Sequence, residues 1–332
     1  MTKLAIIGGG SWGTALAMVL APRFESVTLW VHEADLAARM ASSRVNDIFL
    51  PGCHLPDSVQ IATEWTTALE RADIVLGVMP SHHARGIYAA MLPHLTPSMI
   101  LVSATKGLEQ SSLLRISQVM EQVVGTKFSP RVAVLSGPTF AREVAAGNPT
   151  AVVVASSAPE VAQSVQQEFS GPTFRLYTNA DPVGVEVGAA LKNVIAIGAG
   201  ICEGLGLGHN PTAALITRGL AEISRLAIAM GGEAKTLAGL AGLGDLVLTC
   251  TGELSRNRHV GKELGRGRPL GAILESTPMV AEGVETCGSA VALGGKFGVD
   301  LPIIQQMHAV LSAGKSPKEA VRDLMERTLK GE

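Results

Sequence analysis

Lys192 has the setting that most demands a chemical explanation in this 332-residue chain. It stands with Asn193 between GVEVGAAL and VIAIGAGI. A lone ammonium in so apolar a stretch must snorkel, pair or face a cleft, because unpaired burial forfeits hydration. Desolvation also brings a lysine toward the range a general base near neutral pH requires; the competing reading is a purely structural bridge to a carboxylate of the N-terminal domain. A second group is Asp245, a carboxylate at the end of the glycine-rich run Gly239-Leu240-Ala241-Gly242-Leu243-Gly244. It is suited to orient a lysine, to accept from a substrate hydroxyl, or simply to cap a helix. A third is Leu254-Ser255-Arg256-Asn257-Arg258. Ser255 is a good N-cap, the first-turn N–H groups with Arg256 and Asn257 form an anion cradle, and a guanidinium fork can bind two phosphate oxygens at once. If the three converge, they supply a base, an orienting acid and a phosphate clamp.

What such a set would work with is indicated at the N-terminus. Leu4-Ala5-Ile6-Ile7 is a short apolar run suited to a buried parallel strand, followed by Gly8, Gly10 and Gly13 in G-x-G-x-x-G spacing and then by TALAMVLA, a good helix former. The first glycine permits the turn, the second lets backbone approach a pyrophosphate, and the third lets helix sit close to strand. A second strand, Ser26 to Val31, ends at His32 and Glu33. An acidic residue there favours NAD and a cationic group accommodates NADP, so the choice between the two stays open. Lys106 follows the strand Met99 to Thr105, at the sheet edge where open α/β folds bind ligands. The loop Ser136-Gly137-Pro138-Thr139-Phe140-Ala141 lies at another strand end, where it reads equally as a ligand contact or as an ordinary turn. His82 and His83 are adjacent, which directs them to different faces of a helix and argues against a metal pair. Ser81 before them is a candidate helix cap.

These groups need two kinds of scaffold. Through about residue 180 the chain alternates buried strands (4–7, 26–31, 73–79, 99–105, 132–137, 151–155 and 174–177) with helix-like stretches, the pattern of a doubly wound α/β sheet. Asp181-Pro182 is a helix start, and nearly everything after it reads as helix: 182–203, 211–230, 233–240, 255–265, 270–275, 284–297, 302–312 and 317–329. The expectation is an N-terminal Rossmann-like domain, 1–180, followed by an all-helical substrate domain, 181–332, with ligands in the cleft such a change of architecture creates. A net charge of −2 makes no case for nucleic acid or an anionic membrane. Cys53, Cys202, Cys250 and Cys287 form no C-x-x-C, so neither zinc nor a disulfide framework is indicated, and reduced cytosolic thiols are the default. The N-terminal apolar run is too short for a signal peptide, and Val183 to Cys202, carrying Glu186 and Lys192, reads as a buried helix rather than a membrane span.

The segments GGGSWGTALA, LPG at 50–52, SATKGL at 103–108, SGPTFAREVAAGNPTA at 136–151, ALKNVIAIGAGICEGLGLGHNPTAALITRG at 190–219, AGLGDLVLTC at 241–250, SRNRHVG at 255–261 and EGVET at 282–286 follow one another along nearly the whole chain. In these the sequence resembles the bacterial-type NAD(P)-dependent glycerol-3-phosphate dehydrogenases. The resemblance implies a cytoplasmic, homodimeric enzyme interconverting sn-glycerol 3-phosphate and dihydroxyacetone phosphate for phospholipid synthesis, with NAD or NADP and no metal. It implies Lys192 as proton acceptor in alcohol oxidation. Lys106, Gly137, Thr139, Asp245, Ser255, Arg256 and Asn257 are implied as further substrate contacts. Ser11, Trp12, His32, Lys106, Ala141, Arg256, Val280 and Glu282 are implied as cofactor contacts beside Gly8, Gly10 and Gly13. Ala141, Val280 and Glu282 enter through the resemblance alone. The rival readings are a related hydroxy-acid or sugar-acid dehydrogenase and a non-catalytic NAD(P)-binding sensor.

Overall fold

A computed structural model of the chain describes residues 2–276, 281–329 and 331. Among them the contacts separate two compact units, Met1–Glu109 with Leu114–Glu186, and Gln110–Leu113 with Val187–Glu332.

The first unit is built on ten strands: β1 Lys3–Ile7, β2 Ser26–Trp30, β3 Val45–Asn46, β4 Leu50–His54, β5 Val59–Ala62, β6 Ile74–Gly77, β7 Ile100–Ser103, β8 Arg131–Ser136, β9 Thr150–Ala155 and β10 Phe174–Asn179. Eight of them form one sheet in the order β10-β9-β8-β7-β6-β1-β2-β5, while β3 and β4 pair as a separate antiparallel ribbon. From β5 to β8 every pairing is parallel. The order around β1 is therefore the doubly wound one, with the direction of winding reversing between β1 and β6, where such sheets hold dinucleotides. Alternate residues of β1 feed two cores: Leu4 and Ile6 join one apolar cluster, Ala5 and Ile7 another. Burial on both sides explains why β1 reads as an unbroken apolar run.

Two features depart from the sequence expectation. β9 runs antiparallel to β8, so β9 and β10 oppose the rest of the sheet; an apolar strand pattern encodes burial and carries no direction. The β3–β4 ribbon and β5 also went unpredicted. β3 has two residues, and β4 is exposed or half-buried beyond Leu50, so neither offers a periodic signal.

The second unit is helical. Its long helix, Pro182–Gly204, begins where the Asp181 carboxylate accepts from the Gly184 N–H at 2.7 Å, with proline in the first turn. It is the one helix among the described residues long and apolar enough to cross a membrane, and that stretch is buried inside the protein. The expected helix 233–240 is shorter, Ala234–Leu237. It is followed by a π turn, Leu240–Gly244, and by an unpredicted helix, Asp245–Thr251. The helices Arg256–Gly265, Glu282–Phe297 and Pro302–Ser312 complete the frame needed below. The four cysteines are free thiols.

Candidate active site

In the first unit the site is made largely of backbone. Gly8 has φ +127°, and a Cβ there would overlap the Val78 carbonyl just beyond β6; a Cβ on Gly13 would overlap the Gly8 carbonyl. Both positions therefore admit only glycine. Gly10 differs: nothing lies within 4 Å of where its Cβ would stand. It precedes the helix Ser11–Leu20, whose first turn has no side-chain cap. Open space over uncapped helix N–H groups is the cradle a pyrophosphate fills, so these residues fit a dinucleotide. Trp12 packs half-buried against the core with its indole N–H buried and unpartnered among the described residues. Ala141 opens the helix Ala141–Ala145 and packs against the same core. His32 is exposed just past β2, its ring 5.7 Å from that of Trp30.

Lys106, Gly137 and Thr139 form a second group in this unit. The Lys106 ammonium donates to the Gly137 carbonyl at 3.2 Å and to the Thr139 hydroxyl at 3.3 Å. Gly137, at φ +151°, would press a Cβ onto the backbone of Val152 at 2.9 Å, so the turn after β8 requires glycine. His82 and His83 do not diverge as adjacency on a helix implies. They lie in a 3-10 turn, Ser81–His83, where their Nε2 atoms are 2.9 Å apart. Ser81 is the first residue inside that turn, and Pro80 holds the cap position.

In the second unit the chemistry is carried by buried side chains. Lys192, 5% exposed, donates to the Asp245 carboxylate at 2.5 Å and to the Thr249 hydroxyl at 2.8 Å. Asp245 does not cap a helix. It is the first residue of Asp245–Thr251, delivered by the π turn, and its side chain turns to Lys192. Thr249 stands four residues on, on the same helix face, and its hydroxyl also donates to the Asp245 carbonyl at 2.6 Å. Sequence reasoning missed Thr249; the i, i+4 spacing from Asp245 is the signal that would have found it. Cys250 next to it is no rival to the amine, because burial pushes its thiol up to about 12.

Ser255 caps the helix Arg256–Gly265, its hydroxyl accepting from the Arg258 N–H at 3.2 Å, and its own O–H is a separate donor. Asn257 is buried, with its side-chain oxygen accepting from the Gly283 N–H at 2.9 Å; the amide NH2 is thus its donor end. Arg256 is exposed and, with Ser255, lines a hollow of 270 Å³ that also takes in Glu253 and His259 but not Lys192. Asn193 links the groups: its amide donates to Glu282 at 3.4 Å, and the next residue, Gly283, would press a Cβ onto the Asn193 carbonyl and Asn257. Lys192–Asn193, Asn257 and Glu282 thus belong to one packed cluster. Val280 lies outside the described residues.

Comparison with known proteins decides the family. Residues 3–162 match the NAD-dependent glycerol-3-phosphate dehydrogenase N-terminus, and residues 181–322 match the C-terminus of the same family. The chain belongs to the NAD-dependent glycerol-3-phosphate dehydrogenase family. It is 58% identical over 329 residues to glycerol-3-phosphate dehydrogenase (NAD(P)+) of Koribacter versatilis, with 98% of each chain covered. It is 53% identical over 333 residues to the protein of that name from Acidobacterium capsulatum, again with 98% of each covered. Among solved structures, glycerol-3-phosphate dehydrogenase of Coxiella burnetii aligns with a TM-score of 0.93 at 39% identity, over 98% of this chain and 99% of that one.

Proposed function

We propose that this dehydrogenase interconverts sn-glycerol 3-phosphate and dihydroxyacetone phosphate, residues 1–180 holding NAD or NADP and residues 181–332 supplying the acid–base group and the phosphate clamp. The observation that carries this reading is the buried Lys192–Asp245–Thr249 cluster, in the same unit as the capped Ser255–Arg256–Asn257 turn. Bound NAD(P)H supplies hydride to the ketone carbon. As that carbon is reduced, the Lys192 ammonium gives a proton to the forming alkoxide oxygen; in the reverse direction neutral Lys192 removes the hydroxyl proton. Asp245 and Thr249 fix where the amine points. A hydroxyl that accepts from one N–H while donating to an anion, an amide NH2 and an exposed guanidinium suit three oxygens of one phosphate.

In the other unit, Gly8, Gly10, Ser11, Trp12 and Gly13 cradle the nucleotide, and His32 meets its ribose end. Lys106, Gly137, Thr139 and Ala141 complete the nicotinamide and substrate side, with Arg256, Val280 and Glu282 as further cofactor contacts. The enzyme works as a cytoplasmic homodimer and feeds phospholipid synthesis. Absorbance loss with NADH and with NADPH at varied dihydroxyacetone phosphate tests the reading. Turnover that saturates with this ketone supports it. Preference for an unphosphorylated keto acid makes the chain a hydroxy-acid dehydrogenase, and absence of any oxidation makes it a sensor.

A further inference from the structure

Arg258 and Lys262 occur one turn apart on the helix Arg256–Gly265, and both pair with one carboxylate, Glu203, at the end of the helix that carries Lys192. Arg258 approaches Glu203 at 2.7 Å and Lys262 at 2.6 Å. Arg258 also donates to the Gly252 carbonyl at 3.3 Å, ahead of the Ser255 cap, while its backbone N–H is the group that Ser255 receives. Arg258 is 20% exposed and Glu203 32%. The hydrogen bond from Lys262, reinforced by the charge of Arg258, holds Glu203 below the usual carboxylate range.

The two helices meet backbone to backbone. A Cβ on Gly200 would overlap the Arg258 carbonyl, one on Gly204 the Lys262 carbonyl, and one on Gly261 the Ile197 carbonyl. The Glu203 ion pairs tie the side chains of the second helix across this contact, and that helix begins with Arg256 and Asn257.

We propose that Glu203 is a positioning residue for anion binding: through Arg258 and Lys262 it sets the Ser255–Arg256–Asn257 turn, and it keeps the Arg258 guanidinium from taking the substrate phosphate itself. This rests on the phosphate-clamp reading given above. A direct role for Arg258 predicts the opposite sign, because removing its carboxylate partner would free it to bind phosphate more tightly.

Steady-state kinetics with dihydroxyacetone phosphate, and calorimetric titration with glycerol 3-phosphate, test it on Glu203→Gln, Glu203→Asp and Arg256→Ala. Glu203→Gln is expected to raise both KM and the glycerol 3-phosphate Kd about tenfold, a scale set by small misplacements of binding groups. Its kcat should stay within about twofold. Glu203→Asp, which keeps the charge, recovers most of the loss. Unchanged or tighter glycerol 3-phosphate binding by folded Glu203→Gln overturns the inference, as does a fall in kcat at constant KM. Should Glu203→Gln not fold, Lys262→Gln removes one of the two pairs and must move KM in the same direction; an unmoved KM is equally contrary. Arg256→Ala separates the levels: if it leaves KM unchanged, the phosphate-clamp reading itself fails, whereas a raised KM there with no effect at Glu203 defeats only this inference.

Discussion

Two buried ion pairs draw on the same helix, Pro182–Gly204, and differ in what their partners are. Glu186, 6% exposed, receives Arg115 at 2.5 Å, the Ser117 hydroxyl at 2.6 Å and the Ser117 backbone N–H at 2.8 Å. Burial raises it above the ordinary glutamate range even so. Its partners lie at the start of another helix, Ile116–Val124, so the pair fastens that helix to the first turn of Pro182–Gly204, the part of it that belongs to the first unit. Lys192, equally buried, is held by the side chains of Asp245 and Thr249, one turn apart on a short helix. A proton moving on or off this amine leaves the helix backbone bonds intact. Buried charge therefore does not by itself announce chemistry; the kind of partner separates a rivet from a reactive group.

The comparison predicts different failures. Lys192→Ala is expected to lower kcat by on the order of 10²–10⁴, the usual worth of positioned acid–base catalysis, with the protein still folded by circular dichroism. Arg115→Ala strands the Glu186 carboxylate and should cost about 3–5 kcal/mol in denaturant unfolding, with kcat of the folded enzyme unchanged. A large kcat loss there would make the first pair catalytic too and erase the distinction.

Glu222 supplies a third case, a buried carboxylate accepting from the backbone N–H groups of Ile303 and Ile304 at 2.8 and 3.2 Å. Burial pushes it up to about 7. Since the folded value exceeds the unfolded one, the folded state binds more protons between the two. This contribution to stability is full below the ordinary glutamate value and is lost as pH rises to about 7, after which it levels off. Unfolding free energy measured from pH 4.5 to 8 should show a decline on the order of 1–3 kcal/mol from this group, absent in Glu222→Gln. The smallest expected effect is that of Thr249→Val, a kcat reduced about tenfold, the scale of one hydrogen bond to a charged group. Its KM should barely change; an effect confined to KM would move Thr249 from amine orientation to substrate binding.

How much of this was legible in the sequence depended on whether geometry dictated a residue type. Gly8 and Gly13 were readable because carbonyls occupy the space a Cβ would need. The Ser255 cap was readable because N–H groups at a helix start select hydroxyl side chains. β1 and β6 declared themselves by burial on both faces. The antiparallel turn into β9 did not, since strand direction is set by connection and pairing rather than by apolar content. Thr249 hid inside LVLTC, where an apolar run masks the helix face it shares with Asp245. The His82–His83 approach arises from a 3-10 turn that adjacency alone does not specify. Ala141 and Glu282 had no pattern to offer, because one is a small apolar residue packed against the core and the other meets Asn193 only once the chain is folded.

Single-turnover oxidation of NADPH by dihydroxyacetone phosphate, measured alongside NADPH affinity on the same sample of Lys192→Ala, tests most directly whether the buried amine is the proton-transfer group. A hydride-transfer rate lowered on the order of 10²–10⁴, with nucleotide affinity within about twofold of the parent, is the predicted result. A variant that transfers hydride at the parent rate would contradict it, and the Lys192–Asp245 pair would then be a rivet like Glu186–Arg115.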